Sequence, residues 1–311
     1  MVLLGPRIHF FEINDQSWWP DYLREKVQSA LTLLWTFRVP LLQKTSPAQL
    51  VAVTLRRVLS STVTDYTYVD FCAGAGGPTP YIEKELNQQL LTDNQKPSGK
   101  SAEQLDDKDS AASANERDEN AVTFLLTDIH PHIPEWTKAA ANSKYLDFVS
   151  TPVDAANAPA DLIRRHGRKT FRLFFLAFHH FDDDQAREIL RDTLETADGF
   201  GIFELQERTL SSMITITAIG ALMPLVTPFY YWRSPGHLFF TYIIPLIPLI
   251  LVLDGYVSSL RTRTPQEIRS LMRDCGASAD NWTVKHGVAQ HTWPTGYLTY
   301  VIGVKDRTKV Q

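Results

Sequence analysis

The sequence predicts an α/β fold in which a parallel β-sheet is covered by helices on both faces. Short apolar runs alternate with helical stretches through the middle of the chain, as in proteins built from repeated strand–helix units. These runs show no strict polar–apolar alternation, which favours strands buried on both sides. A chain of 311 residues is long enough for one large domain with additions, or for two domains at most.

The predicted elements follow one another in order. The core strands are 66–72, 122–127, 146–149, 171–178 and 201–205, and a closing hairpin comprises 282–288 and 297–304. Helices are predicted at 80–91, 159–165, 184–197 and 266–274. An N-terminal helical cap is predicted over 1–64, with an amphipathic helix over 14–44 and a second helix over 47–59, capped by Ser46.

Two segments interrupt the alternation of strands and helices. Residues 92–120 are rich in Asp, Glu, Lys, Ser and Asn and contain almost no large apolar residue, so they predict a disordered loop. Residues 208–261 form an apolar insertion, in which the run from 238 to 253 carries no charge. The predicted core consists of the remaining ranges, 65–207 and 262–311.

Composition limits the compartment and the partners. The chain has 31 Lys and Arg against 35 Asp and Glu, a formal net charge of −4, which supplies no general attraction for nucleic acid. The two cysteines, Cys72 and Cys275, are too few for a disulfide scaffold and favour a reducing compartment. The N-terminus lacks the pattern of a signal peptide. We therefore expect a cytoplasmic protein without a nucleic-acid partner, with membrane association left open by the insertion.

The stretch 69–78, VDFCAGAGGP, is the most informative part of the sequence. A strand runs into a turn of small residues, and a helix opens at Pro78 or Pro80. Glycines let the backbone approach a ligand closely, and the helix N-terminus supplies free N–H groups. This pattern predicts a site for an adenosine-containing ligand at the carboxyl edge of the sheet. Thr79 stands where the dinucleotide motif G-x-G-x-x-G requires its third glycine.

The same stretch resembles the first motif of class I S-adenosylmethionine-dependent methyltransferases, acidic-x-G-x-G-x-G. Asp70, Gly74 and Gly76 match the motif, and Cys72 stands at its first glycine position. The resemblance covers about 65–207 and 262–311. It implies a three-layer Rossmann-like sheet of order 3-2-1-4-5-7-6 with an antiparallel strand 7, S-adenosylmethionine as cofactor, and methyl transfer as the reaction.

Two further acidic residues follow predicted strands. The resemblance implies that Asp128 binds the ribose hydroxyls of the cofactor and that Asp154 accepts a hydrogen bond from the adenine amino group. A carboxylate suits a diol because it accepts two hydrogen bonds at once. Taken singly, each aspartate is also typical of a helix cap or a turn. The rest of the expected cofactor site is Ile129, Ala155, Ala177 and Phe178.

The fourth predicted strand ends in His179-His180-Phe181-Asp182, where the resemblance implies that the chain faces the methyl donor. A histidine titrates near neutrality and could remove a proton from a hydroxyl during transfer. The alternative is that the histidines only pack and form hydrogen bonds beside the cofactor. His130 and His132 are too few for a metal site, so no metal is expected.

The insertion and the N-terminal aromatic residues predict where an acceptor binds. The candidate substrate-binding residues are Trp18, Trp19, Tyr22, Glu204, Tyr231 and Trp232. The alternative is that these aromatic residues only pack in the apolar core between helices. The insertion has three interpretations: a lid over an apolar pocket, a peripheral membrane contact through 238–253, or a membrane span, which Pro245 and Pro248 disfavour.

The predicted function is methyl transfer from S-adenosylmethionine to a hydrophobic small molecule, with O-methylation favoured. The acceptor would be a secondary metabolite or a lipid-like alcohol, phenol or acid. Three alternatives remain: a non-methylating enzyme on the same fold, a non-catalytic binding or membrane-associated subunit, and, remotely, a nicotinamide-dependent oxidoreductase. The acceptor and the oligomeric state are not specified by the sequence.

Overall fold

The computed structural model describes residues 2–94, 120–159, 162 and 167–306. The predicted disordered loop 92–120 lies almost entirely outside these residues, as does most of the predicted helix 159–165.

A seven-stranded sheet of order β3-β2-β1-β4-β5-β7-β6 forms the centre of the molecule. β1 to β5 are parallel, and β7 runs antiparallel to both β5 and β6. The predicted fold class and strand order are confirmed. The strands are β1 Tyr66–Phe71, β2 Phe124–Thr127, β3 Leu146–Phe148, β4 Lys169–Phe175, β5 Gly199–Glu204, β6 Trp282–Thr292 and β7 Gly296–Lys305.

Nine α-helices lie within the described residues. They are α1 Asp21–Thr36, α2 Pro47–Leu59, α3 Thr79–Asn94, α4 Ile133–Ala140, α5 Asp183–Thr196, α6 Leu210–Tyr230, α7 Pro235–Tyr242, α8 Leu246–Arg261 and α9 Pro265–Asp274. The helix predicted within 14–44 is shorter than that range, because it begins only after Pro20 and ends at Thr36. α4 was not predicted, since it is short and begins at a proline-containing turn.

Two apolar layers cover the faces of the sheet. On one face, α2 and α3 pack through Val51, Leu55 and Ile82 against strand residues such as Tyr68. On the other, α5 and α9 pack against Val69 and its neighbours. α2 therefore belongs to the core, although the sequence placed it in the N-terminal cap, because its apolar face is buried against the sheet.

The end of β4 differs from its prediction in a way that matters for the site. The strand was predicted to reach 178 but ends at Phe175, and Leu176 adopts a positive φ of 49°. A 3₁₀ turn, Phe178–His180, follows. This turn lifts His179 and His180 out of the sheet at its carboxyl edge.

α1, α6 and α8 pack together as a helical cap above that edge. Their shared apolar cluster contains Val27, Ala30, Met223, Ile247, Ile250 and Leu251. α7 and α8 divide the predicted uncharged run and meet at a bend of 71°. α6 is long and apolar enough to cross a membrane by length and composition, and 28% of its most apolar window is buried. By itself this is weak evidence for a span.

Candidate functional site

The sheet order reverses between β1 and β4, since β2 and β3 lie on one side of this pair and β5 lies on the other. Ligands of open α/β sheets bind in the crevice at such a reversal, outside the carboxyl ends of the strands. The glycine loop follows β1, and the histidine turn follows β4. The topology therefore brings the two most distinctive motifs of the sequence to one crevice.

The glycine loop makes a tight left-handed turn. Cys72, Gly74 and Gly76 have φ values of 64°, 51° and 101°. Cys72 stands where the motif has its first glycine. Its backbone nevertheless adopts the left-handed conformation that favours glycine. A Cβ added at Gly74 would meet no atom within 4 Å, so this glycine borders open space.

Asp70 lies buried beneath this loop. Its Oδ2 accepts a hydrogen bond from the hydroxyl of Thr79, the first residue of α3. Its Oδ1 is buried and has no hydrogen-bond partner among the described residues. Burial raises the pKa of Asp70 well above its usual range, and nearby Asp128 adds to the shift. A buried acceptor left unpaired is suited to a ligand that brings a hydrogen-bond donor.

Asp128 connects the loops that follow β1, β2 and β3. Its Oδ2 accepts the Gly74 N–H at 2.8 Å, and its Oδ1 accepts the His130 N–H at 2.8 Å. The backbone N–H of Val153 donates to the Asp128 carbonyl at 2.9 Å, which holds the loop carrying Asp154 beside it. Asp128 thus ties together the loops that carry Gly74, His130 and Val153. The roles of Asp128 and Asp154 toward ribose and adenine stay predictions.

The three aspartates surround one thiol. Burial raises the pKa of Cys72, and the charges of Asp128, Asp70 and Asp154 raise it further. Asp154 itself is exposed, and its carboxylate accepts the Ala156 N–H at 2.8 Å. Acidic residues that follow β1, β2 and β3 therefore lie near the first turn of the glycine loop, and Asp128 bonds directly to it.

Trp136 on α4 is a site residue that sequence reasoning missed. Its side chain is fully buried, and its Nε1 donates to the Gly74 carbonyl at 2.8 Å. It also lies 3.8 Å from the position of a Cβ on Gly76. The indole holds the glycine loop from outside. Only recognition of α4 itself could have revealed this contact.

The other predicted cofactor residues differ in their surroundings. Ile129 is exposed beside Asp128, and Ala155 and Ala177 are buried. The ring of Phe178 lies in the apolar layer between Phe174 and Phe181, at centroid distances of 5.6 and 6.1 Å. Its side chain is therefore a core residue, and its backbone alone is near the crevice.

A cavity of about 520 Å³ lies between the sheet edge and the cap. Its walls are mostly apolar, and helix α1 supplies one face of it through residues at helical spacing, Val27, Leu31 and Leu34. The turn between β6 and β7 closes another side. Its polar residues include Glu12, Asp15, Gln43, His179, His180, Gln206, Asp254 and His291. An apolar pocket with a few polar groups is typical of small-molecule sites.

His179 lies between two carboxylates. Its Nδ1 is 2.9 Å from Oε2 of Glu204, and its Nε2 is 3.4 Å from Oε1 of Glu12. Burial lowers the pKa of His179, but Glu204 and Glu12 outweigh that effect and raise it to about 10. The imidazole therefore carries a proton at neutral pH in the free protein and is a poor base there.

His180 has a different environment. Its Nδ1 is 2.8 Å from Oδ2 of Asp15, and its Nε2 is 4.0 Å from Oε2 of Glu12. The two histidine rings lie 4.3 Å apart, and His180 is partly exposed. Of the two predicted catalytic residues, His180 is the one whose ring is accessible at the cavity.

Arg261, at the end of α8, fixes the histidine turn. Its guanidinium donates to the carbonyls of His179 and His180 at 3.2 and 2.8 Å, and to Oε1 of Glu12 at 3.1 Å. Burial works against the Glu12 carboxylate, but its histidine and arginine neighbours lower its pKa to about 2. The end of the insertion therefore positions the polar end of the cavity.

Asp254 also belongs to this end of the cavity. Its carboxylate accepts the N–H groups of Ile13 and Asn14 at 2.7 and 2.9 Å, and burial raises its pKa to about 6. Sequence reasoning missed Glu12, Asp254 and Arg261. A usable signal existed for Asp254, because it is the sole acidic residue of the insertion 208–261.

The predicted substrate-binding residues lie outside the cavity lining. Trp18 and Trp232 are exposed, Trp19 packs on the cap cluster, and Tyr231 bonds its hydroxyl to Ser29. Tyr22 lies against Gly236, and Glu204 is buried behind His179. The side of α1 that faces the cavity carries the aliphatic residues Val27, Leu31 and Leu34 rather than Tyr22.

The sheet order and the glycine loop define an α/β fold of the class I methyltransferase type. No family model matches the chain, and no curated protein matches it.

Several solved structures are similar to the chain. The plantazolicin methyltransferase BpumL with S-adenosylhomocysteine is 13% identical, with a TM-score of 0.47 over 94% of each chain. A methyltransferase from Anabaena variabilis is 11% identical, with a TM-score of 0.46 over 98% of this chain and 99% of that one. Human N-acetylserotonin methyltransferase is 12% identical, with a TM-score of 0.38 over 83% and 56%. These likenesses are too distant to assign a function, which must be supported by the chain's own residues.

Proposed function

We propose that the protein transfers a methyl group from S-adenosylmethionine to a hydrophobic small molecule, with a hydroxyl oxygen as the favoured acceptor. One juxtaposition carries this proposal: the glycine loop and the histidine turn follow the neighbouring strands β1 and β4, and His180 of that turn lines the polar end of an apolar cavity. A donor bound at the β1–β4 reversal and an acceptor bound in the cavity would meet at the end of β4.

The residues of the crevice fit S-adenosylmethionine. The Asp128 carboxylate has two oxygens that could accept hydrogen bonds from a ribose diol. Oδ1 of Asp70 has no hydrogen-bond donor among the described residues, and Gly74 borders open space. Asp154 stands next to Asp128, where an adenine amino group would follow the ribose. When bound, the cofactor supplies an electrophilic methyl group on a sulfonium.

On the acceptor side, the cavity excludes water and orients an apolar molecule. In the transfer, the acceptor oxygen would gain the methyl group as its bond to the donor's sulfur breaks, with S-adenosylhomocysteine as the second product. The hydroxyl proton passes to Nε2 of His180, since His179 already carries a proton. Asp15 holds the imidazole of His180 through Nδ1 and so orients its Nε2.

Calorimetric titration with S-adenosylmethionine, S-adenosylhomocysteine and NAD tests this function. We expect the first two to bind and NAD not to bind. Asp128→Ala should weaken binding of S-adenosylhomocysteine at least about tenfold, because a partly buried hydrogen-bond acceptor is lost. Asp280→Ala, in an exposed loop, is the matched control. If neither sulfur compound binds the wild type, the proposal is wrong.

We further propose that the outer face of the cap contacts a lipid surface. Leu225, Phe229, Trp232, Ile243 and Leu249 are all exposed there. Arg233 is the only Lys, Arg, Asp or Glu residue from 209 to 253. Its guanidinium lies 4.4 Å from the Trp232 ring centroid. Exposed Trp, Tyr and Arg beside aliphatic side chains are typical of interfacial helices. The inner faces of α6 and α8 line the cavity, so an acceptor could enter from the lipid.

Flotation with phosphatidylcholine vesicles tests the lipid contact. The wild type should float with the vesicles, and Ile243→Glu/Leu249→Glu should remain at the bottom of the gradient. Val288→Glu, at an exposed apolar residue of β6, is the matched control and should float. If the wild type stays at the bottom and elutes as a dimer on gel filtration, the face pairs with a second copy instead.

A further inference from the structure

We propose that Glu12, His179 and His180 form a binding site for one divalent transition-metal ion, open toward the cavity. The sequence indicated no metal, because the only pair considered as ligands, His130 and His132, had no evident third ligand. The three residues proposed here come from the N-terminal segment and from the turn after β4, so no local spacing reveals them. The ion site itself does not depend on the proposed function; only the role of the ion does.

The ligand atoms face one another. Nε2 of His179 is 3.4 Å from Oε1 of Glu12, Nε2 of His180 is 4.0 Å from Oε2, and all three groups offer a ligand atom within 4.8 Å of the others. Ligands bound to one ion at about 2.1 Å lie about 3.0 to 3.5 Å apart. The His179–Glu12 distance already lies in this range, whereas the other distances, of up to 4.8 Å, must shorten when an ion binds.

Each histidine is oriented by a carboxylate through its other ring nitrogen. Nδ1 of His179 is 2.9 Å from Glu204, and Nδ1 of His180 is 2.8 Å from Asp15. Ligating histidines in metalloproteins almost always bond their second nitrogen in this way, which directs the free nitrogen to the ion. Both imidazoles of the cluster show this arrangement, and both direct Nε2 toward Glu12.

The charge of the cluster favours a cation. The carboxylates of Glu12, Asp15 and Glu204 contact the two imidazoles, whereas Arg261 and the protonated His179 each contribute one positive charge. A divalent ion would displace the proton from Nε2 of His179 and offset the remaining negative charge. The Arg261 guanidinium donates to Oε1 of Glu12 and so leaves Oε2 for the ion.

Two imidazoles and one carboxylate are typical ligands of Zn²⁺, Co²⁺, Mn²⁺ or Fe²⁺ rather than of Mg²⁺ or Ca²⁺. All three ligands line the cavity, so the remaining coordination positions point to where the acceptor would bind. There an ion would bind the acceptor's hydroxyl oxygen and lower its pKa. It would take over the role of His180 as base, because both Nε2 atoms would then be ligands, and the proton would leave to water.

Titration of the EDTA-treated full-length protein with Co²⁺ tests the site, followed by calorimetry and by visible absorption. We expect one bound ion per chain with a ligand-field spectrum typical of nitrogen and oxygen ligands, displaced by Zn²⁺ but not by Mg²⁺. Glu12→Gln and His180→Asn should each weaken binding at least tenfold. Asp15→Asn, a milder change at a partly exposed residue, should weaken it about tenfold through the orientation of His180.

His286→Asn, which removes an exposed histidine on β6, is the control and should bind Co²⁺ like the wild type. Circular dichroism establishes that each variant is folded. The absence of stoichiometric binding, or binding unchanged in both Glu12→Gln and His180→Asn, would overturn the proposal. The Asp128→Ala variant should still bind Co²⁺, so failure of the metal site and failure of the cofactor site give different results.

Discussion

At the scale of single residues, Cys72 shows how a motif can vary while its geometry persists. A non-glycine residue with φ near 64° costs roughly 1 kcal/mol. The position tolerates it because a single unbranched Cβ fits the turn, and the Trp136 contact to Gly74 holds the loop from outside. The motif has glycine at this position, because glycine adopts a positive φ most readily. Here the backbone has a positive φ although the residue is cysteine.

Cys72→Gly should therefore change the free energy of unfolding by less than about 1 kcal/mol, because relief of the left-handed strain offsets the greater entropy of the unfolded chain. Cys72→Val should destabilise the fold by more, since a β-branched side chain is disfavoured at positive φ. Urea denaturation of both variants measures the difference. A valine variant as stable as the glycine variant would contradict the left-handed turn.

His291 at the hairpin turn makes stability depend on pH. Burial lowers its pKa to about 4, so the folded form stays neutral while the unfolded form binds a proton below about 6.5. Stability from this residue is complete above pH 6.5 and falls as pH decreases toward 4, by up to about 1.4 kcal/mol per pH unit. His291→Asn should reduce the drop in Tm between pH 7.5 and 5. An equal drop in both proteins would refute this.

At the scale of elements, the close packing of α6 on α8 shapes the cap. A Cβ at Gly220 would lie 2.2 Å from Cγ2 of Val252, and one at Gly255 would lie 2.8 Å from Ile216. These glycines let two long apolar helices approach closely, with the cavity on one side and the exposed face on the other. The sequence showed the apolar character of the insertion but not its division into three helices, since prolines occur both inside α6 and at the α7–α8 bend.

Gly220→Ala should destabilise the protein by about 1 to 3 kcal/mol, because the added methyl group overlaps Val252 in a packed interface. In a Val252→Ala background the same change should cost less than 1 kcal/mol or become stabilising through helix propensity. A double-mutant cycle of urea midpoints measures this coupling. Additive effects would show that the helices are farther apart.

At the scale of the whole molecule, the sheet and the cap each contribute a different part of the candidate site. The crevice at the β1–β4 reversal belongs to the sheet, and the cavity lies mainly between the cap and the sheet edge. Arg261 and Asp254 tie the insertion to the histidine turn and to the N-terminal segment. Occupation of the cavity can therefore be blocked without touching the cofactor residues.

Ala218→Trp should obstruct the rim of the cavity, because Ala218 lines the cavity and is also exposed to solvent. We expect binding of S-adenosylhomocysteine to stay unchanged and binding of an apolar fluorescent probe to fall at least about tenfold. Thr217→Trp, on the adjacent exposed position of α6, is the control. Parallel loss of both ligands in Ala218→Trp would mean that the cavity and the crevice are one site.

The sequence by itself determined the strand order, through its resemblance to a family. It also located Asp70, Gly74, Asp128 and Asp154 at strand ends, because turn-forming residues follow the apolar runs. These features are local, because a strand end and the turn after it lie within a few residues. Only the tertiary structure decided what surrounds His179 and His180. Glu12, Glu204 and Arg261 reach them from distant parts of the chain, and no periodicity encodes contacts made by side chains that converge across a fold.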